Sequence, residues 1–203
     1  MEITIKKSEI TFNKELNQLD ELALGFSKIL SSLKIKHAFI SDYVAILFGR
    51  NRSSEDIDVI CEKLTLKKFM RFWVMVNKNF ECINASEPKN AYNEYLLKKT
   101  AIRFAYKGEI IPNVELKFVS NNMHKEAISS SIIVNLNNRN INIPALEQQI
   151  AFKLFLGSEK NIEDARFLFK LFEDDLKKIR LRKYIKELKI PIKVVKHYLG
   201  WSS

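Results

Sequence analysis

Asp56 and Asp58, two residues apart, are the side chains in this 203-residue chain with the clearest chemical promise. They open Asp56-Ile57-Asp58-Val59-Ile60-Cys61, which alternates as a strand. Residues i and i+2 of a strand share a face, so the two carboxylates project together while Ile57 turns to a core. Such a pair repels itself unless a cation lies between the carboxylates. Hard oxygen donors select Mg²⁺ or Mn²⁺ over zinc. A bare Asp-x-Asp is also what a solvated acidic strand edge looks like, so its neighbours must decide.

Three neighbours bear on it. Ser41 and Asp42 stand where a short strand feeds a helix, and such a turn offers free N–H groups to a phosphate. Arg52 lies between that turn and the acidic strand, where a guanidinium can reach phosphate oxygens. Further on, Asn113-Val114-Glu115-Leu116-Lys117-Phe118 alternates with Val114, Leu116 and Phe118 on one face. That leaves Glu115 and Lys117 on the other, with Glu115 a candidate third carboxylate. An ordinary exposed strand glutamate is the competing reading.

The elements that must position these residues follow from periodicity. Leu16, Leu19, Ala23, Phe26, Leu30 and Leu33 predict a first helix, with Asn13 as its N-cap. A strand is expected over 37–40, a helix over 43–48 closed by Gly49, and a strand over 56–61. Residues 66–78 read as a helix, 80–84 as a strand, 89–99 as a helix, and 101–106 and 112–119 as strands. A helix near 122–131 and short strands within 132–143 complete residues 1–143. From Pro144 the pattern is helical: 145–157 ending on glycine, a helix capped by Asn161 and running to 172, then 177–188 and 192–199. The expectation is an α/β (α+β) chain, with an α/β domain over 1–143 and a helical C-terminal extension over 144–203 packed on it.

The stretch from Phe39 through Ser41-Asp42, Gly49, Arg52 and Ser54 to Asp56-Ile57-Asp58-Val59-Ile60 resembles the signature of the nucleotidyltransferase superfamily. That signature is a Gly-Ser, Gly-Gly or Ser-Gly turn, a short helix closed by glycine, an Arg-x-Thr/Ser segment, then Asp-Ile-Asp. The likeness is strongest to small prokaryotic and archaeal members, including AbiEii/MenT-type toxins. Lys153 and the run ending Glu163-Asp164-Ala165-Arg166 are similar to a helical motif of that family. The resemblance implies a mixed β-sheet flanked by helices and a nucleoside triphosphate bound with Mg²⁺ or Mn²⁺. Asp56 and Asp58 would hold the metal, and Glu115 would stand as third carboxylate, helping to activate an acceptor hydroxyl. Ser41 would touch the terminal phosphates, with Arg52 and Ser54 beside them. Lys153 and Asp164 would line the nucleotide or acceptor side. One departure is Asp42, where the family's turn has glycine. Either its carboxylate turns away from the phosphates or it weakens nucleotide binding.

Composition bounds the rest. Apolar residues make up 46% of the chain, enough for a core. The formal net charge of +10 favours a polyanionic partner. Much of it lies in 177–196, with Lys177, Lys178, Arg180, Arg182, Lys183, Lys186, Lys189, Lys193 and Lys196 against Glu187 alone. That tail is either a solvated helix surface or a face for RNA or tRNA. Two cysteines, Cys61 and Cys82, make neither a zinc site nor a disulfide scaffold. No apolar run reaches membrane-spanning length, so a soluble cytoplasmic protein is expected. His37, His124 and His197 lack metal-spaced partners, and Phe72 and Trp73 read as core.

Two functions follow. One is a Mg²⁺-dependent enzyme moving a nucleoside monophosphate from an NTP to a hydroxyl of RNA, protein or a small molecule, with a toxin role beside a cognate antitoxin as one setting. The other is a catalytically impaired binding or regulatory module that works through its basic RNA-binding surface.

Overall fold

The computed structural model describes residues 2–6 and 9–201. Its elements build two mixed sheets with helices around them. The larger sheet joins β3 (His37–Ile40), β4 (Asp56–Cys61), β5 (Phe80–Cys82), β6 (Ile102–Tyr106) and β7 (Asn113–Phe118), in the order β3-β4-β7-β6-β5. β4 and β7 run parallel at its centre, and the other pairings are antiparallel. The smaller sheet, β1 (Thr4–Lys6), β2 (Glu9–Phe12), β8 (Ile132–Leu136) and β9 (Arg139–Ile143), has the order β1-β2-β8-β9.

The pattern of buried residues explains the larger sheet. On β4, Ile57, Val59 and Cys61 are fully buried in the main core, and on β7 Val114 and Leu116 join them. That face packs against α1 (Gln18–Ser32) and α3 (Leu66–Val76). Phe26 of α1 is the centre of this contact, with ring centroids 5.8, 5.8 and 5.7 Å from Phe72, Phe80 and Phe104. The opposite face is covered only in part. Ala38 and Ile60 pack there against Ala127 of α5 (Asn122–Ser129). The remainder, which carries Asp56, Asp58 and Glu115, is partly exposed and forms the candidate cleft.

Four further helices pack together, α2 (Asp42–Leu47) and α6 (Leu146–Leu156) on α7 (Glu159–Phe172), and α8 (Lys178–Glu187) on α6. α2 packs on α7, and Phe48 meets Phe172 edge-on at 4.8 Å. α9 (Ile192–Leu199) lies against α7. No helix among the described residues is long and apolar enough to cross a membrane.

Several expectations need correction. The first helix begins at Gln18, not near Asn13: Asn17 is the N-cap, accepting from Asp20 N while the Asp20 carboxylate accepts from Asn17 N. Reciprocal bonds at both ends of one turn outcompete a lone upstream asparagine. Ser158, not Asn161, caps α7, because its hydroxyl accepts from Asn161 N. The helix expected over 89–99 is α4 (Pro88–Asn90) followed by a π-helical turn, Ala91–Leu96. β1 and β2 were not anticipated; their strand length is short, and β2 gains its place by pairing with the distant β8.

Candidate active site

The cleft floor is set by the register of three strands. Asp58 is the direct partner of Glu115 across β4–β7, and Arg103 is the direct partner of Glu115 across β6–β7. Directly opposed residues share a face. Asp56, Asp58, Glu115, Lys117 and Arg103 therefore stand on one open surface. The three carboxylates named from sequence share this face, and a lysine lies between two of them. Lys117 Nζ is 3.0 Å from Asp58 Oδ1 and 3.1 Å from Glu115 Oε2. Arg103 Nη2 is 2.6 Å from the other Glu115 oxygen.

The charges follow. Burial raises the Asp56 carboxyl above its usual range, and the charges of Asp58 and Glu115 raise it further. A hydrogen bond from Ser54 partly offsets this, and Asp42 adds to the rise. Ser54 Oγ also donates to the Asp56 carbonyl at 3.0 Å, so its observed partner is the acidic strand itself. Burial alone would raise Glu115, but hydrogen bonds and charge from Lys117 and then Arg103 hold it below the usual value. Lys117 is lifted despite burial by Asp58 and Glu115.

These residues have the chemistry a Mg²⁺ or Mn²⁺ ion needs. Carboxylates from adjacent strands already meet at one positive point, and Asp56 is penalised by uncompensated negative charge. Among the described residues no three acidic, histidine or cysteine side chains have metal-ligand spacing, and Lys117 occupies the point where Asp58 and Glu115 meet.

The cleft wall is a second charged cluster. Lys153, fully buried, donates to Asp42 Oδ1, to Asn161 Oδ1 at 2.9 Å and to Asp164 Oδ2 at 2.9 Å. Arg52 bridges the same two acids, with Nη2 2.7 Å from Asp42 Oδ2 and Nη1 2.6 Å from Asp164 Oδ2. Arg50 pairs with Glu163, and its Nε is 3.6 Å from Asp164 Oδ1. Asp42 therefore turns into the cation pair. Ser41, just before it, has φ 65 and ψ −134, and its carbonyl accepts from Gln149 at 2.6 Å. Its hydroxyl makes no capping bond.

Of the six residues the resemblance implied for nucleotide binding, Asp42, Arg52, Lys153 and Asp164 meet in this wall, Ser41 is bonded through its carbonyl to Gln149, and Ser54 is bonded to Asp56 instead. Sequence reading missed Lys117 and Arg103 as members of the floor, and Asn161 and Gln149 in the wall. Lys117 had a signal, since it follows Glu115 by two on the same strand. Arg103 had none, because cross-strand register is not written locally. His124 stands at the edge of the floor: burial lowers its pKa first, then Lys117, while Asp58 opposes.

The basic tail is only partly free. Lys183 pairs with Glu126 at 2.7 Å, and Arg180 approaches Glu147 at 3.9 Å. Lys178 and Arg182 lie 5.9 and 5.4 Å from the Trp201 ring centroid. Arg182, Lys186 and Lys189 line an open groove of about 610 Å³ together with Ile185, Ile190 and Ile192.

The fold is shared with solved structures. The chain is similar to an antigenic nucleotidyltransferase-like protein from Paracoccidioides brasiliensis, with TM-score 0.57, 16% identity, and 89% of this chain and 91% of that chain covered. It is similar to the antibiotic-resistance factor ANT(2'')-Ia, with TM-score 0.52, 8% identity, and coverage of 91% and 99%. It is also similar to JHP933 from Helicobacter pylori, with TM-score 0.50, 19% identity, and coverage of 92% and 81%. At these identities the likeness is one of fold. No protein-family profile and no curated protein matches the sequence.

Proposed function

We propose that the chain transfers a nucleoside monophosphate from an NTP to a hydroxyl acceptor, with Mg²⁺ or Mn²⁺ at the carboxylate floor. The observation that carries this is the meeting of Asp56, Asp58 and Glu115, from parallel neighbouring strands, on an open face beside an Arg52–Lys153 cation pair. Acids to hold a cation and bases to hold phosphates are what in-line transfer needs, because the protein's task there is to position groups and neutralise charge.

In this reading Asp56 and Asp58 hold the metal, which when bound supplies Lewis acidity to the phosphoryl oxygens. Ser54 steadies Asp56 through its bonds to that residue. Glu115, ionised and held by Arg103, faces the acceptor and takes its hydroxyl proton. Lys117 keeps Asp58 and Glu115 from repelling each other until a cation takes over that role. Ser41, Asp42, Arg52, Lys153 and Asp164 make the phosphate side. RNA or tRNA bound along the basic C-terminal helices is one acceptor class; protein and small-molecule hydroxyls are others.

The test is incubation with labelled ATP, CTP, GTP and UTP, Mg²⁺ or Mn²⁺, and RNA, protein and small-molecule acceptors. Label should pass to an acceptor with the unaltered protein and fall by at least a hundredfold in Asp56→Asn/Asp58→Asn. Undiminished transfer by that variant would overturn the roles given to both residues.

One observation favours a second reading. Asp42 neutralises the cations that would greet a triphosphate. A binding or regulatory module with impaired turnover, working through its basic surface or beside a cognate antitoxin, accommodates that better. Calorimetry separates the two: NTP binding abolished by EDTA favours the enzyme, and RNA binding without any NTP binding favours the module.

A further inference from the structure

We propose that Arg52 and Lys153 form a site for a phosphate-type oxyanion, and that Asp42 fills this site from within the chain. An incoming polyphosphate must displace the Asp42 carboxylate to bind. The inference deepens the nucleotide-binding reading and rests on it only for the natural ligand, a nucleoside triphosphate.

The geometry is that of one anion shared by two cations. Asp42 gives one oxygen to Lys153 Nζ and the other to Arg52 Nη2, the latter at 2.7 Å. A phosphate group presents two oxygens to two such donors in the same way.

The two cations are held from behind by other groups. Asp164, 1% exposed, takes Arg52 Nη1 at 2.6 Å and Lys153 Nζ at 2.9 Å, and Asn161 takes Lys153 at 2.9 Å. Departure of Asp42 leaves both cations aimed at the same point. Asp42 is also the member that can leave, since its side chain is 33% exposed while those of Lys153 and Asp164 are 0% and 1% exposed. The cluster balances Arg50, Arg52 and Lys153 against Asp42, Glu163 and Asp164. Without Asp42 one positive charge is uncompensated, in a setting where charge is weakly screened. Arg50 Nε is a buried donor without a hydrogen-bond partner, 3.6 Å from Asp164 Oδ1.

A purely structural role, in which Asp42 clamps Lys153 for stability, predicts the opposite response to mutation. The experiment is calorimetric titration of sodium tripolyphosphate in EDTA into the unaltered protein, Asp42→Asn and Asp42→Gly. Both variants should bind at least tenfold more tightly than the parent, and Arg52→Gln placed on Asp42→Gly should remove the gain. Equal or weaker binding by variants that still melt cooperatively overturns the proposal, as does absence of binding in all three proteins. If the variants do not fold, a structure of the parent protein in tripolyphosphate decides. The anion should sit on Lys153 with the Asp42 carboxylate swung away; Asp42 still on both cations, with the anion elsewhere, overturns it. Metal and transfer take no part in this readout. Gain of oxyanion affinity without any nucleotidyl transfer sinks the proposed function alone, and transfer without the gain sinks this inference alone.

Discussion

Asp56 carries the clearest electrostatic cost in the floor. Its carboxyl is raised first by burial and then by Asp58 and Glu115. An acid whose folded pKa lies above its unfolded value binds protons more tightly when folded. Its favourable contribution is complete below the unfolded value, near 3.8, and is lost as pH climbs through the higher folded value. At neutral pH the charged Asp56 therefore opposes folding, and Asp56→Asn should stabilise the protein. Because the group is only partly buried and solvent screens its charge, the gain should be a few tenths of a kcal/mol, or roughly 1 °C in melting temperature. Melting curves at pH 7 and pH 3 check both sign and window: the difference between variant and parent should be present at the first and vanish at the second. A variant less stable than its parent at pH 7 would contradict this account of the floor. The pair itself was legible in the sequence, because strand alternation puts i and i+2 on one face. The ammonium of Lys117 between Asp58 and Glu115 was not, because it depends on the register of β4 against β7, which brings Lys117 to an aspartate 59 positions away.

At the scale of elements, the turn into α2 stands out. Ser41 has φ 65 with ψ −134, a backbone region that favours glycine and costs other residues about 1–3 kcal/mol. The surroundings hold it there: Gln149 of α6 binds its carbonyl, and Asp42 is gripped by Lys153 and Arg52. Ser41→Gly should therefore raise stability by about 1 kcal/mol, some 2–4 °C in a chain of this size. Differential scanning calorimetry measures it, and an unchanged or lower melting temperature would show that the turn is not strained. The short helix, its closing glycine and the following acidic strand could all be read from sequence, since each rests on local signals. The N-cap of α1 and the π-helical turn could not be. The first depended on which of two asparagines had a reciprocal partner three residues on, and the second on a change of hydrogen-bond spacing that no residue type marks. β1 and β2 were hidden for another reason: the parallel partner of β2 is β8, more than a hundred residues away.

For the molecule as a whole, composition divides the chain near Pro144, whereas the packing runs across that point. A single core cluster includes Phe12, Val44 and Phe48 from the first part, with Ile150, Leu168, Phe172 and Val195 from the second. The two charged layers of the cleft differ in this respect: the floor comes entirely from residues before 144, whereas the wall joins Asp42 and Arg52 to Lys153 and Asp164 after it. The helical segment thus completes the cleft as well as covering α2, whose residues Tyr43 to Leu47 are all buried. Without it, Phe48 loses Phe172 and α2 loses α7. Fully exposing a large apolar side chain costs about 1.5–3 kcal/mol, so uncovering three or four of them costs roughly 5–10 kcal/mol. That is comparable with the whole net stability of an ordinary domain. Asp42 would also lose its Lys153 partner, and Arg52 its Asp164 partner, at the same time. A fragment of residues 1–143 should consequently lack a cooperative thermal transition and bind a hydrophobic dye, even if the larger sheet retains some strand content by circular dichroism. Adding back a separate 144–203 peptide should restore cooperativity only to the extent that the two pieces associate, so the transition should sharpen with concentration. A 1–143 fragment that melts cooperatively by itself, at a temperature near that of the full chain, would mean that the core is divided where the composition divides, and that the helices only rest upon a finished domain.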